Sequence, residues 1–143
     1  IELQKAKMIK ILLVEDSKFL RLETERALAR AGYQMSSADD GDEALRLARE
    51  KLPDLILLDL LLPKLSGLDV LKLLKKDPAT RAIPIVILTA MSQMNAVRLE
   101  HDGAFGFLQK SDLELDKGPA KLLIALQEIF ENLPSAKAST TTA

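Results

Sequence analysis

The sequence predicts an α/β domain of three layers: a doubly wound, five-stranded parallel sheet with helices on both faces. Two observations carry that reading. Short apolar runs without period alternate with longer stretches of helical period, five times between residues 9 and 133. The apolar runs also lack the apolar–polar alternation of a half-exposed strand, so they suit strands covered on both faces. Strands alternating with helices give parallel neighbours joined by right-handed crossovers. Ligands of such sheets collect beyond the carboxyl ends of the strands.

Each element has its own signal. Ile9–Val14 (IKILLV) is the first strand. In Ser17–Ala31, residues Leu20, Thr24, Ala27, Leu28 and Ala31 fall on one helical face, and Gly32 stops the helix in the C′ position. Tyr33–Ser37 is the weakest strand. Asp40–Leu52 repeats the helical theme with Ala44, Leu45 and Ala48 and ends at Pro53. Leu55–Leu60 (LILLDL) is the third strand. Ser66–Lys76 then presents Leu68, Leu71 and Leu74 until Asp77-Pro78 breaks the helix. Ile85–Thr89 is the fourth strand. Ser92–His101 is the least periodic helix, with Met94 and Val97 facing inward and Met91 at its start. Ala104–Leu108 (AFGFL) is the fifth strand, and Leu122, Leu126, Ile129, Phe130 and Leu133 mark the last helix.

The domain is thus expected to span 8–133, with 1–7 as an N-terminal extension and 134–143 (PSAKASTTTA) as a disordered tail or linker stub. The chain opens on Ile1, so upstream residues are expected to have been removed. Met8 is then a natural start, or Ile1–Lys7 the end of a longer protein.

Composition excludes several classes of function. Among 143 residues, 48% hydrophobic and 29% charged is a globular balance, which rules out global disorder. The absence of cysteine rules out a disulfide scaffold, thiolate zinc sites and a cysteine nucleophile, and suits a cytoplasmic protein. With 20 basic and 21 acidic residues, no basic excess points to nucleic acid and no polybasic stretch to an anionic membrane. The longest apolar run, Leu55–Leu62, is interrupted by Asp59 and falls short of the roughly 18 residues needed to span a bilayer.

The informative residues follow the apolar runs. Glu15 and Asp16 follow the first, Asp59 sits near the end of the third, Thr89 ends the fourth, and Lys110 follows the fifth. In a parallel sheet these side chains converge on one edge. Three carboxylates placed together repel one another unless a cation joins them. Mg²⁺ fits, because it takes one or two carboxylates and keeps several waters. Lys110 adds a charge that can hold an incoming anion, which leaves Asp59 arranged as a nucleophile toward a phosphoryl group.

Each residue also has a plainer explanation. Asp16 or Thr89 would serve as the N-cap of the helix that follows. Asp59 has no helix to cap, and its plain reading is a paired structural aspartate. Lys110 alone reads as a surface lysine. His101, the only histidine, suits the carboxyl end of a helix. Four independent plain explanations must all hold at once to dismiss the site.

At these residues the sequence resembles the receiver domain of two-component response regulators. ILLVEDS (Ile11–Ser17) is similar to that family's acidic-pair strand, and DLLLPKLSG (Asp59–Gly67) to its phosphoacceptor signature. ILTA (Ile87–Ala90) and GAFGFLQK (Gly103–Lys110) are similar to its threonine and lysine strands. The resemblance implies a flavodoxin-like strand order of 2-1-3-4-5. It implies phosphoryl transfer to Asp59 from the phosphohistidine of a sensor histidine kinase or phosphotransfer protein. Asp16, Asp59 and the backbone carbonyl of Leu61 would hold Mg²⁺, with Glu15 acting largely through water. Thr89 and Lys110 would contact the phosphoryl oxygens, and Thr89 with Phe107 would form the switch. Phe107 as a plain core aromatic is the alternative.

The resemblance further implies a downstream protein target and a domain that catalyses only its own phosphorylation and dephosphorylation. Docking or homodimerisation would use the face of the fourth helix, fifth strand and fifth helix. The residues after the last helix are too few for a DNA-binding module, so no direct contact with nucleic acid is expected of this chain, and none with a membrane. One departure stands out: Ser111 occupies the place where the family usually has a proline on a cis bond. A non-proline cis bond costs about 3–4 kcal/mol, so the sequence leaves either a trans bond with a rebuilt Ser111–Gly118 segment or a strained cis bond. Leu61 and Met91 would flank the pocket with apolar groups and lengthen the life of the acyl phosphate.

Three other readings compete. An aspartate-nucleophile phosphatase wants a second aspartate where Leu61 stands. A flavin mononucleotide carrier wants a Ser/Thr/Gly-rich phosphate loop where EDSKFL presents negative charge. A receiver-like interaction module that takes no phosphate keeps the fold without the chemistry.

Overall fold

The structure is a computed structural model that describes residues 8–90 and 96–133. Five strands form one parallel sheet: β1 (Lys10–Val14), β2 (Gln34–Ala38), β3 (Leu55–Asp59), β4 (Ile85–Thr89) and β5 (Gly106–Gln109). Their order across the sheet is β2-β1-β3-β4-β5, as the resemblance implied. Val14 stands beside Ala38 and Leu58, Asp59 beside Leu88, and Thr89 beside Gln109, so the carboxyl ends of the strands are level.

Among the described residues, six helices cover the sheet. They are α1 (Lys18–Arg30), α2 (Gly41–Lys51), α3 (Gly67–Lys76), α4 (Ala96–His101), a single turn α5 (Lys110–Leu113) and α6 (Ala120–Glu131). The period-2 geometry of the strands divides the core in two. Leu12, Val14, Ile56, Leu58, Ile85 and Ile87 pack against Ala44 and Ala48 of α2, Val70, Leu71 and Leu74 of α3 and Leu99 of α4. On the other face, Ile11, Leu13, Leu55, Leu57, Val86 and Leu88 pack against Leu28 of α1, Leu113 of α5 and Leu122 and Leu126 of α6. The continuous apolar runs are thereby explained, since every residue of β3 and β4 is buried.

The starts of α1, α2 and α3 are capped by side chains. Ser17 Oγ accepts from Leu20 N–H (3.3 Å), Asp40 Oδ1 from Glu43 N–H (2.9 Å) and Ser66 Oγ from Asp69 N–H (3.2 Å). Ser17, not Asp16, therefore caps α1, and the plain reading of Asp16 is corrected. Asp77, forced extended by Pro78, closes α3.

Both edge strands begin later than the sequence suggests, for one reason. Gly32, at φ 105°, ends α1 in a Schellman motif: its N–H bonds Ala29 C=O and that of Tyr33 bonds Leu28 C=O. Gly103, at φ 111°, ends α4 the same way, with Gly103 N–H on Glu100 C=O and Ala104 N–H on Leu99 C=O. Tyr33 and Ala104 thus belong to helix caps, and β2 and β5 start after them.

The segment after Lys110 is also more regular than a loop. The Lys110–Ser111 bond is trans, no cis bond occurring among the described residues. The chain continues directly into α5 and then a 3₁₀ turn, Leu115–Lys117. Leu113 is buried in the α1–α6 layer and anchors that path. The expected fifth helix is accordingly α6. Met91, Met94 and the side chain of Val97 lie outside the described residues, as do the expected extension and tail.

Candidate functional site

β1 ends at Val14, and the next residue still follows the sheet: Glu15 N–H donates to Ala38 C=O at 3.0 Å. By alternation Glu15 shares a face with Leu13, Asp59 with Leu57, and Lys110 with Leu108. All three partners belong to the α1–α6 layer of the core. The three polar side chains meet just past its end. The Lys110 ammonium donates to Glu15 Oε1 at 2.8 Å and to Asp59 Oδ2 at 3.1 Å. Glu15 is 2% exposed and Asp59 3%. Asp16, one residue further, is exposed at the mouth. Carboxylate oxygens of Glu15, Asp16 and Asp59 lie within 4.8 Å of one another.

Each buried acid has a second donor. Ser17 N–H reaches Glu15 Oε2 at 3.2 Å, and Leu61 N–H reaches Asp59 Oδ1 at 3.1 Å. Leu61 meets Asp59 through its backbone while its side chain is 57% exposed. Gly67 makes room for this turn. Its N–H bonds Leu60 C=O at 3.0 Å, and a Cβ there would lie 2.5 Å from Asp59 O and from Leu60 Cα. No side chain larger than hydrogen fits.

The electrostatics show a site short of positive charge. Burial pushes the Glu15 carboxyl above its ordinary range and the Asp59 charge adds to that, while Lys110 pulls against both. Burial alone would pull the Lys110 ammonium down, but its bond to Glu15 and the nearby Asp59 charge carry it up. Glu15 thus holds its proton more tightly mainly because it is buried, and Lys110 because two carboxylates share its charge. The donor set at the mouth is all carboxylate oxygen, which suits a hard divalent cation such as Mg²⁺.

Thr89 and Phe107 lie on the other face. Thr89 is fully buried at the end of β4, beside Gln109, and Phe107 stands opposite Ile87 and packs into the α2–α4 layer. Of the residues expected at the site, Glu15, Asp16, Asp59 and Lys110 therefore come together, and Leu61 joins them through its N–H. Thr89 is level with them across the sheet, and Phe107 lies two pairs below it, past Leu88 and Leu108.

Sequence reasoning passed over Arg21. Its Nη1 donates to Glu15 C=O at 2.9 Å. The signal was present: Arg21 is one helical turn beyond the cap Ser17, so its side chain points back toward the helix start.

The family model for the response regulator receiver domain matches residues 11–117. The chain belongs to this family. Among curated relatives of the receiver domain, protein PilH of Pseudomonas aeruginosa is 35% identical over 104 residues, covering 72% of this chain and 86% of PilH. The polar-differentiation response regulator DivK of Brucella anthropi is 40% identical over 102 residues, covering 70% and 82%. The response regulator PleD of Caulobacter vibrioides is 39% identical over 102 residues, 71% of this chain but 22% of PleD. The chain thus spans about a fifth of PleD's length.

Among solved receiver structures, the chemotaxis response regulator CheY4 of Vibrio cholerae superposes with a TM-score of 0.76 at 31% identity, over 86% of this chain and 99% of that one. The receiver domain of a Pseudomonas aeruginosa sensor histidine kinase superposes at 0.73 with 29% identity, over 85% and 97%. That structure carries a magnesium ion coordinated in its active-site cleft. Among the described residues of this chain, no helix is long and apolar enough to cross a membrane.

Proposed function

We propose that Asp59 is the phosphoacceptor of this receiver domain, and that it takes its phosphoryl group from the phosphohistidine of a histidine kinase or phosphotransfer protein. The observation that carries the proposal is the near-buried Asp59 carboxylate, held 3.1 Å from Lys110 and grouped with Glu15 and Asp16. An Asp59 carboxylate oxygen attacks phosphorus, the phosphorus–nitrogen bond to the donor imidazole breaks, and the imidazole leaves with a proton from solvent. Asp16 and Asp59, with the Leu61 carbonyl, would hold Mg²⁺, and Glu15 would act on it through water. The ion supplies charge neutralisation between the carboxylates and the incoming phosphoryl oxygens.

Lys110 releases Asp59 as the phosphoryl group forms and pairs with one of its oxygens, still held by Glu15. Thr89 donates its hydroxyl to another, and its movement opens the face on which Phe107 turns inward. The domain thereby modifies only itself, and its output is a changed surface offered to a protein target. The face of α4, β5 and α6 is the docking or homodimerisation surface in this reading, and the cytoplasm its compartment. The exposed Leu61 gives an attacking water no polar guide, which lengthens the life of the acyl phosphate.

Incubation with acetyl phosphate, followed by intact mass, tests the reading. Addition of one phosphoryl group to the wild type, absent with a chelator and absent in Asp59→Asn, supports it. No addition to the wild type at saturating Mg²⁺ favours an interaction module that takes no phosphate.

A further inference from the structure

The acid at the mouth of the pocket is aimed by a residue outside it. Among the described residues no side chain holds the Asp16 carboxylate, so the backbone decides where its Cβ stands and which of its rotamers reach Glu15 and Asp59. Both peptide units flanking Asp16 are pinned. The Asp16–Ser17 unit is held by Ser17 N–H on Glu15 Oε2 (3.2 Å). The Glu15–Asp16 unit is held by Arg21, whose Nη1 donates to Glu15 C=O (2.9 Å). Arg21 is itself fixed, because it sits in the first turn of α1 with its N–H on Ser17 C=O (2.8 Å) and its side chain is partly buried.

We infer that Arg21 is a positioning residue for the metal site: its guanidinium fixes the Glu15–Asp16 peptide and so directs the Asp16 carboxylate toward those of Glu15 and Asp59. This rests on the function proposed above. Two physical effects contribute. The first is orientation: a free Glu15–Asp16 peptide lets the exposed Asp16 side chain swing into solvent, and the ion then loses a preorganised ligand. Outer partners of this kind are worth about 10–100-fold in metal affinity. The second is the strength of that hold, which has to outweigh the repulsion between the Arg21 charge and a divalent ion. A charge-assisted bond to a carbonyl in a partly buried position is stronger than a neutral one. Arg46 is the control for removing a cation from this face without touching the peptide. It lines the same open recess as Arg21, but its guanidinium is tied to Glu43 and Glu50 and makes no bond to the Glu15–Ser17 turn.

Calorimetric titration of the whole chain with MgCl₂, for the wild type, Arg21→Met, Arg21→Lys and Arg46→Met, tests the inference. Arg21→Met is expected to weaken Mg²⁺ binding by about tenfold or more, and Arg21→Lys, with one usable donor, to recover part of the loss. Arg46→Met is expected to bind like the wild type. Acetyl phosphate labelling of Arg21→Met should need more Mg²⁺ yet reach a rate close to that of the wild type at saturation, because a ligand's aim is lost and no reacting group is. Unchanged Mg²⁺ affinity in Arg21→Met overturns the inference, as does an equal loss in Arg46→Met. If Arg21→Met fails to fold, wild-type affinity in Arg21→Lys overturns it and an intermediate affinity upholds it. A wild type that binds no Mg²⁺ at all contradicts the proposed function itself and this assignment with it.

Discussion

The Lys110 ammonium lies 3.1 Å from Asp59 Oδ2, and it is the only cationic side chain that the structure brings into hydrogen-bond contact with that carboxylate among the described residues. Because Glu15 claims the same ammonium at 2.8 Å, two buried acids share one positive charge.

Removing either partner therefore has opposite effects on stability. Lys110→Met leaves Glu15 and Asp59 buried and unpaired, and is expected to cost about 3 kcal/mol without divalent ions. Asp59→Asn removes one of the repelling acids while Glu15 keeps its partner, and is expected to match or exceed the wild type. Urea unfolding in chelator at neutral pH measures both. A Lys110→Met protein as stable as the wild type contradicts the shared-ammonium account.

Magnesium should act as a folding ligand. A cation that binds the native acids and not the unfolded chain raises Tm in proportion to the logarithm of its excess over Kd. MgCl₂ is expected to raise the wild-type Tm above that in NaCl of equal ionic strength. Asp16→Asn should lose most of the rise while keeping its metal-free Tm, since its carboxylate is exposed. The comparison is made by scanning calorimetry, and an equal rise in both proteins removes Asp16 from the metal site.

Gly67 limits what the phosphoacceptor turn tolerates. A methyl group at this position meets backbone, not flexible side chains, at 2.5 Å, and overpacking of this kind costs about 1–3 kcal/mol. Gly67→Ala is expected to lose that much in urea unfolding, and also to label slowly because the turn that carries Asp59 is displaced. A Gly67→Ala protein of wild-type stability would mean that Leu60 is not held where the structure has it.

Tyr33, the only tyrosine in a chain without tryptophan, reports on the α1–α6 layer. Its ring stacks on Phe130, with centroids 5.7 Å apart, and burial pushes its phenol above the ordinary value of about 10. The folded state thus prefers the neutral phenol. Its contribution to stability is complete below the unfolded value and is lost as pH rises through the folded one. Ultraviolet titration should give a midpoint above that of the urea-unfolded chain, and Phe130→Ala should move it down. Coincident midpoints would contradict the packing.

Most of this fold was legible because β1, β3 and β4 are buried on both faces and carry no polar interruption before their ends. Asp59 stood out for that reason: a carboxylate in LILLDLLLP has to be paired. The edge strands were less legible. Tyr33 and Ala104 look like strand residues in composition, yet each bonds back into the preceding helix as part of its cap. The turn after Lys110 was hidden because its anchor, Leu113, shares SDLELDKG with only one other apolar residue, Leu115, too few to show a period. The acids and Lys110 were found as strand-end residues. Arg21 was not: its place one turn beyond Ser17 aims it at the helix start, but the backbone carbonyl that it reaches there is not marked by any residue type.

The phosphoacceptor itself can be located chemically. After incubation with acetyl phosphate and Mg²⁺, borohydride reduces an aspartyl phosphate to homoserine, and tandem mass spectrometry of the digested protein reads its position. Homoserine is expected at position 59, only when Mg²⁺ was present. Homoserine at another aspartate, or an unmodified residue 59 in a protein that has gained a phosphoryl group, would contradict it.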